Sequence, residues 1–163
     1  MKSKTKIIII LSIVLLTIFI IVFSFKINNT NYTDSYTTLE LYNTISIDSE
    51  ANIQDKDIIL EFTDEVPEYL IDYTVIKSPD AKNIDEVGIF KVKEDKTREM
   101  KDIVQEYMLK LRESYLTMNY FPDEAEKIDY ATVRVYGNYV FYSFLSESNT
   151  NLLYKNVKNA LKK

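Results

Sequence analysis

Residues 7–25 form an almost unbroken apolar run in which only Ser12, Thr17 and Ser24 interrupt Ile, Leu, Val and Phe. As a helix these 19 residues span roughly 28 Å, close to the ~30 Å of a bilayer's hydrocarbon core, so the pattern predicts a transmembrane helix. Its hydroxyl side chains can bond back onto their own helix and do not oppose insertion. A cleaved signal peptide requires a shorter apolar stretch and a small-x-small site, and Ser24-Phe25-Lys26-Ile27-Asn28 supplies no such site. Lys2, Lys4 and Lys6 precede the run and Lys26 alone follows it closely, which by the positive-inside rule keeps the N-terminus cytoplasmic and sends the remainder outside.

Beyond the run, Asn28 to Thr38 is polar and without period, the pattern of a spacer. Leu39, Leu41, Ile45 and Ile47 alternate loosely, and Ile58-Ile59-Leu60-Glu61-Phe62 is a short apolar island; neither declares an element. Tyr69 to Lys77 and Val87 to Lys93 read as strands, separated by the turn-forming Ser78-Pro79-Asp80-Ala81-Lys82-Asn83. From Thr97 the period changes: Met100, Ile103, Val104, Tyr107, Met108, Leu111 and Tyr115 make one stripe of a long helix. Pro122 and the acids after it open a short second helix. Ala131 to Tyr136 and Tyr139 to Leu145 flank Gly137-Asn138, a hairpin signature, and the second of these strands is apolar on both faces. Ser146 to Thr150 supplies cap residues for a last helix with the stripe Leu153, Val157, Ala160 and Leu161.

The order strand, strand, helix, hairpin, helix predicts an α+β fold, a two-layer domain with an antiparallel sheet and its helices packed on one face. The expected organisation is a cytoplasmic stub (1–6), a transmembrane anchor (7–25), a spacer and uncertain segment (26–57) and an extracytoplasmic domain (58–163).

Composition narrows the chemistry. The chain has no His, Cys or Trp and only two Gly, which excludes Ser-His-Asp and Cys-His catalysis, imidazole and thiolate metal sites, disulfides and glycine-rich phosphate cradles. Of 20 basic residues, four flank the apolar run, leaving 16 against 25 acids in the remainder, a net of −9, which argues against nucleic acid as a partner. Acidic clusters at Asp55/Asp57, Asp64/Glu65/Glu68, Asp85/Glu86 and Asp123/Glu124/Glu126 lack the spacing of a calcium loop and read as solvated faces or helix starts. No catalytic, cofactor-binding or metal-binding residue is identified, and no cofactor is expected. Among the 13 tyrosines, Tyr107, Tyr115 and Tyr142 are explained by packing. Tyr69, Tyr73, Tyr120, Tyr130, Tyr136 and Tyr139 are candidates for an aromatic interaction surface.

The stretch Asp85-Glu86-Val87-Gly88-Ile89-Phe90-Lys91-Val92, the long amphipathic helix after it, Tyr120 and Pro122, and Ala131 to Tyr136 running into Gly137-Asn138-Tyr139-Val140 together resemble a domain family of unknown function. That family occurs in membrane-anchored proteins and lipoproteins of Gram-positive, mainly clostridial, bacteria, and the resemblance runs from Pro67 to Lys163. It implies placement at the cell envelope and no particular chemistry. The lipidated cysteine of its lipoprotein members is absent, so the transmembrane helix takes over as anchor. The expectation is a single-pass cell-membrane protein whose partners are the lipid bilayer and an envelope protein or cell-wall component. Its external domain would be a non-catalytic interaction or structural module; the alternative is a small envelope hydrolase acting on a glycan through a carboxylate pair.

Overall fold

A computed structural model describes residues 12–17, 32–45, 53–54, 58–80, 82–118 and 124–163. The chain divides into two units, Met1–Asn31 with the terminal Lys163, and Tyr32–Lys162. In the first unit residues 12–17 are helical and Ile13, Val14, Leu15 and Leu16 are exposed. Thr17 Oγ1 donates back to the carbonyls of Ile13 (3.1 Å) and Val14 (2.8 Å), the return bond by which a hydroxyl satisfies itself on an apolar helix. Among the described residues no helix is long and apolar enough to cross a membrane. The rest of the predicted span, 7–11 and 18–25, lies outside the described residues, as does the stub 1–6.

The second unit is built on an antiparallel sheet of β1 (Ile53–Gln54), β2 (Leu70–Lys77), β3 (Glu86–Val92), β4 (Thr132–Tyr136) and β5 (Tyr139–Phe144), in the order β1-β2-β3-β5-β4. The two-residue β1 aside, this is a four-stranded sheet. Among the described residues four α-helices accompany it: α1 (Thr38–Ile45), α2 (Thr97–Met118), α3 (Ala125–Tyr130) and α4 (Glu147–Leu161). The period of two in β5 sends Val140, Tyr142 and Phe144 to one face and Tyr139, Phe141 and the following Leu145 to the other, and all six are buried. The first face is covered by Met100, Val104, Tyr107 and Met108 of α2 and by the 3-10 turn Ile58–Glu61 with Phe62. The second is covered by Leu41 and Ile45 of α1 and Leu153, Tyr154, Val157 and Leu161 of α4.

The expected packing of helices on one face is therefore corrected, because α1 and α4 lie opposite α2. One helical layer would leave Tyr139, Phe141 and Leu145 in water, at about 1.5–3 kcal/mol for each large side chain. The segment read as spacer and uncertain region supplies α1, whose Leu41 and Ile45 are four residues apart on one helical face.

A bulge in β2 explains how α1 is held. Leu70 pairs with Val92 and Asp72 with Lys91, leaving Ile71 as the extra residue. Leu70 and Tyr73 consequently both pack on the first face. Asp72 reaches the first turn of α1, where its Oδ2 accepts from Thr38 N (2.7 Å) and Thr38 Oγ1 (2.9 Å). The helix is capped from a strand 34 residues away, a partner that no local motif announces.

The hairpin forms as its sequence requires, with Gly137 at φ +58°. Ser146 caps α4, its side chain accepting from Asn149 N at 3.4 Å. Gly88 of β3 sits directly opposite Tyr142, and a Cβ there would lie 1.8 Å from Tyr142 Cε1. Gly88→Ala is expected to cost about 3 kcal/mol by overpacking. Urea unfolding of variant and parent checks this, and a loss under about 0.5 kcal/mol would mean the ring is free to move aside.

Candidate functional site

Two features of the domain combine polar or apolar groups in ways that bear on function: a buried polar cluster on the first face of the sheet, and the outer edge of β4.

The cluster centres on Glu86 at the start of β3, which is 3% exposed. Tyr142 and Tyr107 both donate to Glu86 Oε1, the latter at 2.8 Å. Lys77 Nζ donates to Tyr107 Oη (3.1 Å) and to Glu61 Oε2 (2.8 Å), and lies 3.7 Å from Glu86 Oε2. Burial raises the Glu86 carboxyl above its ordinary value, outweighing the Lys77 charge and the two tyrosine hydrogen bonds that act the other way. Burial, with the charge of Glu86, pushes the Tyr107 and Tyr142 hydroxyls up, and burial first of all takes Tyr115 to about 12. The phenols therefore stay protonated and act as donors. This arrangement satisfies a carboxyl enclosed in the core.

The neighbouring Asp85 is 8% exposed. Its Oδ1 makes no hydrogen bond of good angle, yet it stands 2.6 Å from the Lys127 ammonium, so charge supplies its partner. Lys127 also contacts Glu124 Oε2 (2.6 Å) and Asn83 Oδ1 (3.0 Å), and Glu124 accepts from Ile84 N. This clamp ties α3 to the loop before β3. The reading of Asp85/Glu86 as a solvated face is thus corrected, since each acid is buried and charge-paired. Asp64, Glu65 and Glu68 are exposed as expected, while Asp55, Asp57 and Asp123 lie outside the described residues. Among the described residues no acidic group of three or more converges enough to hold a metal ion.

The second feature is at the surface. β4 is an outer strand that among the described residues pairs only with β5, and beside it lies a cleft of about 190 Å³. Met108 and Leu109 of α2, Ile128 of α3, Val133 of β4 and Phe144 of β5 give it an apolar lining, with Gln105 and Arg112 as its polar groups. Arg112 stands 3.7 Å from Asp129.

The candidate tyrosines do not form one surface. Tyr69 and Tyr73 are half-buried against the first face. Tyr136 packs on the second, edge-on to Tyr32 at 5.5 Å. Tyr139 is 0% exposed, and its hydroxyl donates to the Tyr36 carbonyl at 2.7 Å. Tyr130 ends α3, and Tyr120 lies outside the described residues. Tyr130 and Tyr136 bracket β4 from its two ends. The surface that sequence reasoning missed is the edge itself. Its signal was available in Thr132-Val133-Arg134-Val135-Tyr136, where a charge in mid-strand marks an outer position.

In class the unit is an α+β domain, an antiparallel sheet covered by helices, with a polar anchor in its core and an open strand at its margin. Residues 67–145, just under half of the chain, match the family described as Domain of unknown function (DUF4358). The match begins at Pro67, where the resemblance begins, and ends at Leu145 ahead of α4, so it takes in β2 to β5 with α2 and α3. None of the curated proteins and none of the solved structures matches the chain.

Because the folded state holds the Glu86 proton more tightly than the unfolded chain does, stability from this group is full below the ordinary carboxyl value of 4.5. It is lost as pH rises through the folded-state value. Glu86→Gln keeps an acceptor for both tyrosines and removes the titration. Its stability relative to wild type is expected to rise between about pH 4 and about pH 8, measured by urea unfolding. A difference that stays constant over that range would show that Glu86 titrates as it does unfolded.

Proposed function

We propose that this chain is a single-pass membrane protein of the cell envelope. In this reading residues 1–6 are cytoplasmic, residues 7–25 span the bilayer, and the domain outside is a non-catalytic interaction module. The observation that carries the module reading is the outer edge of β4, which no strand among the described residues pairs, next to an apolar cleft, since open strand backbone beside apolar surface is a common basis of peptide recognition. Of the aromatic candidates, Tyr130 stands two residues before β4 in the chain and Tyr136 ends it. The apolar run at 7–25 and the lysines before it support the anchor and its direction. The resemblance to membrane-anchored and lipoprotein domains of clostridial type supports the envelope placement. With no cysteine in the chain, anchoring falls to the helix.

The hydrolase alternative needs two carboxyl groups flanking a bound sugar. Among the described residues the cleft is lined by no carboxylate, and among them the carboxyl with a raised affinity for its proton is the enclosed Glu86. We rank that reading second.

The test is recovery of partners from cross-linked envelopes with the full-length chain and with a version carrying only residues 1–38. A protein or wall fragment retained by the full-length chain alone is the expected result. Identical recoveries from the two would count against an interaction module and move attention to glycan substrates.

A further inference from the structure

Resting on the interaction-module reading, we propose that β4 captures an extended segment of a partner protein in which an acidic side chain stands between apolar ones, the segment joining the sheet as a further strand. The direction of the backbone groups comes first. Val92 N donates to the Asn138 carbonyl at 3.0 Å, and Phe90 pairs with Val140 two residues further along both strands. Antiparallel bonding alternates residue by residue, so the N–H and C=O of Val140 and Tyr142 point toward β3. Val135 and Val133, which face Val140 and Tyr142 from the other side, therefore make no ladder bonds to β5. Their own N–H and C=O groups point out of the sheet. Among the described residues no strand pairs with that edge.

The side chains say what kind of strand fits. Val133 lines the cleft and Val135, on the same face, is 38% exposed, so that face favours apolar neighbours. Arg134 projects from the opposite face, its guanidinium over the Tyr154 ring at 4.3 Å, and among the described residues it has no carboxylate partner. In a domain with an excess of acids this is a local positive charge at mid-strand. A carboxylate opposite Arg134 supplies its missing counter-charge.

The same residue argues against a second copy as occupant. Two β4 strands in full antiparallel register, bonded through Val133 and Val135, place Arg134 opposite its own copy in the closer, non-hydrogen-bonded kind of pair, where like charges repel. The chain's own residues 26–31, Lys-Ile-Asn-Asn-Thr-Asn, carry no acid and do not answer the charge either.

The experiment uses the full-length chain in detergent micelles. The probes are the end-blocked peptide Thr-Val-Glu-Val-Thr and its counterpart with Lys in place of Glu. The Glu peptide is expected to slow amide exchange at Val133 and Val135 and to bind about five-fold more tightly than the Lys peptide, with Arg134→Glu reversing the preference. Val135→Pro removes an outward N–H that β5 does not use, a substitution that edge strands tolerate, and is expected to abolish binding while the thermal midpoint stays near that of wild type. Unchanged exchange at Val133 and Val135 under saturating peptide, or equal affinities in Arg134→Glu and wild type, would overturn the proposal. Protection without peptide, accompanied by concentration-dependent self-association, would also overturn it by assigning the edge to a second copy. A partner that survives Val135→Pro in the envelope recovery defeats this inference and leaves the module reading intact, whereas an empty recovery defeats the module reading whatever the peptides do.

Discussion

Tyr142 lies across Gly88 with its hydroxyl on Glu86, and much of the domain is arranged around that contact. Gly88 and Glu86 are two residues apart on one face of β3, and Tyr142 is the residue of β5 opposite Gly88. Without a Cβ at Gly88 the ring can lie flat on the sheet, and its hydroxyl then arrives where β3 presents a carboxyl. A buried hydroxyl with no acceptor costs about 1–3 kcal/mol, so ring position and Glu86 depend on each other. Phe62, Phe90 and Tyr107 pack about the same ring at 5.7, 6.1 and 5.8 Å between centroids. Tyr107 brings α2 to the same carboxyl, while Lys77 and Glu61 extend the chain of bonds to β2 and the 3-10 turn. Elements scattered from Ile58 to Phe144 are thereby placed against one another by one polar contact inside an apolar layer.

That arrangement saturates the middle of the sheet. β5 is buried at every position and β3 at all but Lys91, with α2 covering one face of these central strands and α1 and α4 the other. What remains open is lateral. In β4 Thr132, Val133 and Tyr136 are half-buried while Arg134 and Val135 are exposed, and among the described residues no strand takes up its outward backbone groups. For the interaction module proposed above, a core enclosed in this way leaves the margin of the sheet as the place to meet a partner.

Much of the fold was legible because its signals are local. The hairpin rests on Gly137-Asn138, α4 on Ser146 and the stripe beginning at Leu153, and α2 on the spacing from Met100 to Tyr115; the structure places each where the period put it. What escaped depends on partners distant in sequence. α1 has Leu41 and Ile45 as its fully buried apolar residues and takes its cap from Asp72, so its eight residues carry too little pattern to outweigh a polar neighbourhood. The second helical layer was implied by the doubly apolar β5, and still its position required knowing that α1 exists. Asp85 and Glu86 looked solvated because charge is ordinarily outside; Lys127 and Lys77, which reverse that, stand 42 and nine positions away in sequence. Of the aromatic candidates, only the side of the sheet on which each falls decides whether they can act together, and register sends Tyr73 and Tyr139 to opposite sides.

Under the proposed strand capture, Arg134 is the residue at which stability and recognition meet. An open strand edge is a hazard because it pairs with any extended backbone, and its own copies are the most abundant source. Anchoring, as proposed, sharpens the hazard, since copies held in one membrane meet at a higher effective concentration than copies free in solution. A lysine or arginine at the centre of the edge raises the cost of self-pairing in full register without touching the bonds to β5. Arginine adds a planar guanidinium that rests on Tyr154 and so stays in place instead of sweeping the solvent. The Tyr154 hydroxyl in turn donates to the Thr132 carbonyl at 2.9 Å, which pins the start of β4 to α4. The charge that keeps identical strands apart is thus held at a fixed position, and a fixed charge can discriminate between the strands that approach it.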